Sequence, residues 1–311
     1  MQKVHETRSL KKRIIRHLPL YFMMIPGIAY LLINNYLPLT GLQLAFKKFK
    51  YAQGIWGSPW NGLKNFSFLF RSGDAAIIIR NTILYNLVFL VLGTVFAIFT
   101  AILLNEIRQK TMKQAYQTLI LIPHMISYVI VSYIAYAFLG NDNGMINNSI
   151  LKGIGAQPIA WYTEPGYWPF ILTFIHLWKT FGYSSIIYFA TIVGIDTTYY
   201  EAAIVDGAGT WKLITRITLP LLKPTIITLT LLSIGRLFYS DFGLFYQVPM
   251  NSGLLFSTTN TLDTFVYRGL LETNDVGRAS AAGFIQSIMG FILVMGTNLI
   301  VRRVEKDNAL F

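Results

Sequence analysis

Residues 81–105 read NTILYNLVFLVLGTVFAIFTAILLN, and no side chain in this stretch carries a charge. A helix needs about 20 predominantly apolar residues to cross the hydrocarbon core of a bilayer, so the stretch is long enough for one crossing. Three further stretches also lack Asp, Glu, Lys and Arg: 17–46, 114–141 and 279–301. A soluble domain of this length cannot cover four such stretches with its own polar residues. The sequence therefore predicts a polytopic membrane protein.

The overall composition supports this prediction and narrows the chemistry. Charged residues make up 13% of the 311 residues, against about a quarter in ordinary soluble domains. The chain has no cysteine, which excludes disulfide frameworks, thiolate metal sites and cysteine nucleophiles. Its four histidines are far apart and form no metal-ligand spacing such as HExxH. We therefore predict neither a metal site nor a catalytic residue in this chain.

The apolar segments predict an all-α fold with six transmembrane helices. A basic start followed by an apolar stretch resembles a signal peptide, but 18–39 is too long for that and lacks a cleavage site of small residues. We therefore interpret it as a retained first helix. The predicted domains are a basic cytoplasmic segment 1–17, a transmembrane domain 18–301 with a polar loop at 196–220, and a cytoplasmic tail 302–311. The six helices are predicted at 18–39, 83–104, 117–139, 169–195, 221–241 and 280–301.

The positions of the basic residues predict the orientation. With the N-terminus inside, the inner segments hold 14 Lys and Arg and the outer segments nine, while three lie within or beside spans. An excess of Lys and Arg in the cytoplasmic loops is typical of membrane proteins. Both termini are therefore predicted to be cytoplasmic. The net charge of +12 is explained mainly by this orientation, so we predict lipid contact and no nucleic-acid binding.

The polar loop between the predicted fourth and fifth helices is the most informative segment. Residues 199–220 read YYEAAIVDGAGTWKLITRITLP, which predicts two short helices separated by a break at Gly207–Gly209. Glu201 lies near the start of the first, where an acidic side chain complements the helix dipole. Thr210 is a candidate N-cap for the second. Pro220 and Pro224 then open the next membrane helix, and the second proline is expected to kink its first turn. Such an ordered loop is suited to docking another protein.

This loop resembles the EAA signature of the membrane subunits of binding-protein-dependent ABC importers. The signature, EAA(x3)G(x9)IxLP, matches Glu201, Ala202, Ala203, Gly207, Ile217, Leu219 and Pro220. The flanking stretches Trp178-Lys-x-x-Gly-Tyr183 and Asp206-Gly-Ala208 are similar to carbohydrate-uptake permeases. The stretches from Ser233 to Asp241 and from Asp263 to Arg268 resemble oligosaccharide permeases of the LplB type. The resemblance extends from about Pro26 to the C-terminus.

The resemblance implies a type I ABC importer permease fold and a set of partners. In that family the EAA loop lies in a groove of a cytoplasmic ATPase, so Glu201 is expected to make a polar contact there. Ala202 and Ala203 would permit close approach and Gly207 the turn, and Asp206, Ile217, Leu219 and Pro220 complete the ATPase-coupling set. The chain has no GxxxxGK[ST] phosphate loop, so ATP and Mg²⁺ are expected on two separate ATPase subunits. A second permease subunit and an extracytoplasmic binding protein complete the expected bacterial plasma-membrane complex.

Two basic residues within the predicted spans are candidates for contact with cargo. Lys179 lies about ten residues into the fourth helix, roughly 15 Å deep. It either lines the translocation path or pairs with a neighbouring helix or subunit. Arg236 is expected near the outer surface, where it snorkels, pairs with Asp241 or meets an acidic sugar. Tyr183 and Tyr239 are further pathway candidates. The predicted cargo is an oligosaccharide, and our specific hypothesis is an acidic one such as a uronate oligomer.

Two other classes of membrane protein agree less well with the sequence. A secondary transporter or channel for a small polar solute would need carboxylates or broken helices at mid-membrane, and no predicted span carries Asp or Glu at its centre. A membrane-embedded enzyme would need a cluster of reactive side chains, which the spans do not contain.

Overall fold

A computed structural model describes residues 17–67, 69 and 73–304 of the chain, with the side chain of residue 304 left aside. The predicted basic segment, except for residue 17, and the tail from residue 305 onwards lie outside the described residues. Helices account for most of the described part, and Lys47 and Trp60 form an isolated β-bridge there. The main helices are α1 (Leu18–Phe46), α2 (Gly73–Glu106), α3 (Lys110–Met125), α4 (Tyr128–Leu139), α5 (Trp168–Val193), α6 (Thr197–Val205), α7 (Thr210–Ile234), α8 (Leu262–Leu271) and α9 (Val276–Val304).

The number of membrane crossings is close to the prediction. Within the described residues, α1, α2, α7 and α9 are long and apolar enough to span a bilayer, and α3 with α4 forms a bent pair that makes up to five. The predicted fourth span corresponds to the 26-residue helix α5, which contains the buried Lys179. The long helices α2 and α9 begin before the predicted spans. Their first turns contain Asp74 and Arg278, charged residues that a search for apolar stretches leaves out.

The central packing contact of the fold joins α2 to α5. Tyr85 and Phe89 of α2 lie in one buried cluster with Trp168 and Leu172 of α5 and with Phe245. The indole nitrogen of Trp168 donates to the Trp161 carbonyl at 2.7 Å, so its one polar group is satisfied although the side chain is fully buried. Because lipid tails are as apolar as these side chains, close packing rather than water exclusion stabilises such contacts.

A glycine sets the distance between α3 and α5. A Cβ atom built on Gly182 would lie 1.9 Å from the backbone oxygen of Ile120. Only a residue without a side chain permits this approach, which is the usual role of small residues between membrane helices. Gly182 therefore determines how closely the two helices pack.

The prediction of one continuous helix over 117–139 is wrong. Helix α3 ends at Met125, α4 begins at Tyr128, and the two are bent by 91°. Pro123 lies in the last turn of α3, and its ring removes a backbone donor from that turn. Ser127 then adopts an extended conformation and caps α4 by accepting a hydrogen bond from the amide of Ile130. The apolar composition of 117–139 shows that the stretch suits a membrane, but it does not show where the helix changes direction.

The prediction for the fifth helix was also wrong at both ends. The helix begins at Thr210, continues through a π-helical turn at Ile214–Thr218, and ends at Ile234 instead of residue 241. Residues 235–241 then lie outside any helix, as turns and irregular backbone. Backbone groups of this unwound segment are satisfied by side chains from other helices: Asn86 donates to the Leu237 carbonyl at 3.0 Å, Gln286 donates to the Phe238 carbonyl at 2.8 Å, and Asp263 accepts from the Ser240 amide at 2.6 Å.

The segment that follows, on the predicted outer side, is ordered around a buried arginine. Arg268 of α8 is 8% exposed, and its guanidinium donates to Asn251 at 2.7 Å and also to Asn260. It lies 4.1 Å from the centre of the Phe256 ring. The guanidinium is planar and carries its N–H donors in fixed directions, so one arginine can bond several residues at once. Arg268 therefore holds the loop between the unwound segment and α8 in place.

Candidate functional site

The 196–220 loop begins with a capped helix. Asp196 is the N-cap of α6, and its carboxylate accepts a hydrogen bond from the amide of Thr198 at 3.0 Å. That backbone hydrogen bond is the largest cause holding the pKa of Asp196 below its ordinary value of 3.8. An acidic cap satisfies a free amide and complements the positive end of the helix dipole. Glu201 lies in the middle of α6 and not near its start, so the predicted position is wrong.

The turn after α6 explains why a glycine stands there. Gly207 has a φ of +75°, a left-handed conformation that costs other residues about 1–2 kcal/mol. The amide of Ala208 donates to the carbonyl of Ala203 at 2.9 Å, the hydrogen bond that closes a Schellman-type helix end. The prediction of Thr210 as the next N-cap is wrong, because Gly209 occupies that position and no side chain caps α7.

The loop presents an apolar surface next to its acidic residue. Glu201 and Ala202 are exposed, and the side chains of Ile204, Val205 and Trp211 are 58%, 87% and 76% exposed. We call these five residues the loop patch. Other members of the predicted set, Ala203, Ile217 and Leu219, are half-buried at the base, while Asp206 and Pro220 are exposed. The hydroxyl groups of Tyr200 and Thr218 lie 3.0 Å apart and join α6 to the start of the membrane helix.

A second candidate site surrounds the bend between α3 and α4. Lys179 of α5 is 4% exposed, and its ammonium donates to the carbonyls of Pro123 at 3.0 Å, His124 at 3.4 Å and Ile126. The same ammonium lies 4.6 Å from the centre of the Tyr128 ring. A hydrogen bond to a charged group contributes roughly 1.5–3 kcal/mol. These contacts favour the second alternative for Lys179, pairing with a neighbouring helix.

The negative charge near Lys179 belongs to Asp241. Its carboxylate interacts electrostatically with Lys179 and with the side chain of Tyr128. Asp241 also accepts from the amide of Leu244 at 3.4 Å, at the start of the π-helical turn Gly243–Gln247. A Cβ atom on Gly243 would lie 2.4 Å from the Tyr128 ring. The bend and the end of the unwound segment are therefore in direct contact.

The remaining pathway candidates lie around these two irregular segments. Tyr183 is 53% exposed, and its ring stacks on that of His124 at 4.6 Å. Tyr239 is 43% exposed. Arg236 is exposed, and among the described residues no ion pair joins it to Asp241. Lys179 is thus enclosed, while Tyr183, Arg236, Tyr239 and Asp241 are exposed.

Several residues that build this region were not predicted from the sequence. These residues are Asn86, Tyr128, Gly243, Asp263 and Gln286, and each reaches another element. Asn86 and Gln286 lie in predicted apolar spans, which is a signal that could have been used, because a polar group in a membrane span needs a partner. Which backbone group each one meets depends on the break in another helix and cannot be obtained from spacing.

Residues 93–306, more than half of the chain, match the family described as the binding-protein-dependent transport system inner membrane component. The protein therefore belongs to this family, and it is a multi-pass membrane permease subunit of an ATP-driven ABC importer for carbohydrate uptake. It is a transport component and not an enzyme. The predicted family and the all-α type I permease fold are confirmed, and the family replaces the alternative of a secondary transporter or channel.

Individual relatives cover almost the whole chain. Protein LplB of Bacillus subtilis is 33% identical over 93% of this chain and 90% of its own length. The polygalacturonan/rhamnogalacturonan transport system permease protein YteP of the same organism is 34% identical over 98% of this chain and 94% of its own. A solved bacterial ABC transporter involved in the import of the acidic polysaccharide alginate has a similar chain, with a TM-score of 0.87, 34% identity and coverage of 96% and 100%.

A related solved complex includes a periplasmic partner. This bacterial alginate ABC transporter, in complex with an alginate pentasaccharide-bound periplasmic protein, contains a chain that is 33% identical to this one, with a TM-score of 0.86. The similarity covers 96% of this chain and 99% of that one. Function together with a binding protein therefore agrees with the family description.

Proposed function

We propose that this chain is one of two permease subunits in an importer of acidic oligosaccharides, and that its loop patch transmits ATP-driven movement from a separate ATPase. The observation that carries the proposal is the exposure of the loop patch on a rigid turn. Val205 and Trp211 are 87% and 76% exposed on either side of the left-handed Gly207. Exposed apolar groups beside polar ones are typical of protein interaction sites.

The geometry of the loop suits a mechanical connection. Helix α7 continues from the loop into the membrane as one segment of 25 residues, so a force on Trp211 reaches the membrane part through continuous helix. The contact between Tyr200 and Thr218 ties α6 to the same base. ATP with Mg²⁺ on the ATPase pair would favour one arrangement through differential binding, and alternating access would follow from movement of α7.

Cross-linking tests the ATPase contact. Because the chain has no cysteine, a single Val205→Cys provides one reactive site, and we expect it to cross-link to a co-expressed ATPase subunit. Ile154→Cys is the matched control, since Ile154 is 73% exposed on the predicted outer side. Cross-linking of Ile154→Cys but not of Val205→Cys to the ATPase would contradict both the docking surface and the orientation.

Charge reversal tests the assigned role of Glu201. Glu201→Lys is expected to reduce the amount of ATPase that co-purifies with the permease by at least tenfold, because it replaces the polar contact with an opposite charge. Lys152→Glu serves as the control for charge reversal on the predicted outer side. Full ATPase retention and ATP-driven uptake by Glu201→Lys would remove Glu201 from the proposed contact.

The need for a second permease is supported by the first helix. The most apolar 18-residue stretch of α1 contains no buried residue, whereas 17–22% of the residues in the corresponding stretches of α2, α7 and α9 are buried. A second subunit would supply packing that this chain alone does not. We expect Phe22→Cys to cross-link to a co-expressed second permease, and labelling of Phe22→Cys by lipid-phase reagents alone would contradict that contact.

The acidic cargo is supported by the relatives and by one exposed cation. The names of the similar proteins include polygalacturonan/rhamnogalacturonan and the acidic polysaccharide alginate. Arg236 and Tyr239, three positions apart in the unwound segment, are both exposed, and a cation together with an aromatic ring suits a uronate. Uptake by vesicles with the cognate binding protein should be measured with uronate and neutral oligosaccharides of equal length. Transport of the neutral compounds alone would reject the acidic cargo and leave the importer assignment intact.

A further inference from the structure

The bend between α3 and α4 creates a local problem for the backbone. The carbonyls in the last turn of a helix have no partner within the helix, and the 91° bend prevents α4 from continuing the pattern. Ile126 and Ser127 are extended, so the carbonyl of Ile126 also lies outside the helical hydrogen-bond pattern. Of the carbonyls at the bend, that of Pro123 already accepts a hydrogen bond from the Ile126 amide at 3.3 Å. In a membrane, a backbone group without a partner costs several kcal/mol, so the other carbonyls at the bend need a donor from elsewhere.

Lys179 supplies several donors and a positive charge at the bend. An ammonium group has three N–H donors, and here three carbonyls accept from it, those of Pro123, His124 and Ile126. A cation at the C-terminal end of a helix is also favoured by the helix dipole. The side chain is 4% exposed, so its donors are already used within the protein.

The counter-charge connects this arrangement to a third element. Asp241 interacts electrostatically with Lys179 and with the side chain of Tyr128, the first residue of α4. Asp241 also accepts a hydrogen bond from the amide of Leu244, at the end of the unwound segment. Its position therefore balances the buried charge and joins the bend to the chain that follows α7.

We propose that Lys179 is a positioning residue that sets the bend of the third membrane crossing, and that Asp241 balances its charge beside Tyr128. Lys179 then acts on transport through the backbone of α3 and α4 and makes no contact with cargo. The accessible side chains Arg236, Tyr183 and Tyr239 remain the candidates for such contact. Removal of the Lys179 charge should straighten the α3–α4 pair even when no cargo is present.

The distance across the bend provides a direct measurement. Spin labels are attached at Ala115→Cys and Ala137→Cys, both exposed, in the full chain with its partner subunits in lipid nanodiscs. Each label lies about 11 residues from the bend, so the separation is roughly 23 Å for a right angle and roughly 33 Å for a straight helix. The absence of native cysteine keeps the labelling specific.

Three substitutions then decide the proposal. Lys179→Met is expected to lengthen the distance by up to about 10 Å or to broaden its distribution. Lys179→Arg keeps the charge and is expected to keep the short distance. Arg236→Met, which removes a cation without contact to the bend, is expected to leave the distribution unchanged. A Lys179→Met distribution that coincides with that of the unsubstituted protein would overturn the proposal.

A second neutral variant covers loss of assembly. In Lys179→Met the Asp241 charge is left without its partner, so Lys179→Met with Asp241→Asn is measured as well. The double variant is expected to assemble and to show the long distance, and retention of the short distance would overturn the proposal. If both neutral variants fail to assemble while Lys179→Arg assembles normally, the proposal is supported. Failure of all three, Lys179→Arg included, would show that the bend does not depend on this charge.

Discussion

Asp263 holds Ser240 by two hydrogen bonds, accepting from its backbone amide at 2.6 Å and from its hydroxyl at 2.8 Å. Ser240 lies in the unwound segment after α7, and Asp263 lies in the first turn of α8. Gln286 of α9 donates to the other carboxylate oxygen of Asp263 at 3.1 Å. One carboxylate thus joins the unwound segment to two helices that are distant in sequence.

Loss of this carboxylate should destabilise the permease. We expect Asp263→Ala to lower the free energy of unfolding by about 2–4 kcal/mol, since hydrogen bonds to a charged group contribute about 1.5–3 kcal/mol each. Asp275→Ala is the control. Its exposed ion pair with Arg278 at 3.1 Å is worth about 0–1 kcal/mol, and the hydrogen bond that it accepts from the Arg278 amide about 1 kcal/mol, so the smaller shift is expected here. The midpoint of thermal inactivation in detergent measures both, and equal shifts would argue against a supporting role for Asp263.

Close packing at Gly182 leads to a second prediction. Gly182→Ala puts a methyl group 1.9 Å from the Ile120 oxygen, so α3 and α5 must separate, at a cost of roughly 1–3 kcal/mol or more. In Gly93→Ala the new Cβ meets no atom within 4 Å, and alanine is favoured in a helix by about 0.5–1 kcal/mol. Thermal inactivation should occur earlier for the first variant only. An unchanged Gly182→Ala midpoint would mean that the helices have room to separate.

The turn of the loop patch leads to a third prediction. Gly207→Ala meets no atom within 4 Å, so its cost comes from the φ of +75° alone, about 1–2 kcal/mol. Gly209→Ala is a matched control with a φ of −81°. We expect faster hydrogen exchange at the Ala208 amide and less co-purified ATPase for the first variant. Identical behaviour of the two variants would show that the left-handed turn is not required for docking.

The cap of α6 leads to a prediction on pH. Because the pKa of Asp196 in the folded protein lies below its ordinary value of 3.8, its contribution to loop stability is complete above that value. The contribution is lost only as the pH falls through the lowered pKa. Protection of the Thr198 amide against exchange, corrected for the intrinsic rate, should be constant from pH 7 to about 4 and decline below it.

Two variants separate the charge of this cap from its hydrogen bond. Asp196→Asn keeps an acceptor oxygen and should keep protection without the acid-dependent decline. Asp196→Ala should lose protection at every pH. A decline in the Asp196→Asn variant that matches the unsubstituted protein would assign the acid dependence to another group.

Local patterns predicted the parts of the fold that depend on neighbouring residues. The apolar stretches placed α1, α2 and α9 within a few residues at one end, although each helix extends further at the other. The glycine break at Gly207 also follows from a backbone rule. The N-cap was assigned to Thr210 and missed at Asp196, because both residue types cap helices and only the backbone conformation distinguishes them.

Buried lysines show why the rest was not predictable. By sequence, Lys47 is an outer-loop charge and Lys179 a candidate cargo contact. In the structure, Lys47 is 3% exposed and donates to the carbonyls of Ile55 and Trp56 at 2.9 and 3.1 Å, and Lys179 bonds three carbonyls at the bend. Both contacts depend on where another segment leaves its helix or turn.

The sequence by itself determined that the chain is a multi-pass membrane protein with an EAA loop, because hydropathy and a fixed motif spacing are properties of adjacent residues. Only the tertiary structure decided that the third crossing bends by 91°, that α7 ends at Ile234, and that the Lys179 ammonium donates to the carbonyls at the bend. The physical reason is that a break in a membrane helix is stable only when side chains from other helices satisfy the released backbone groups.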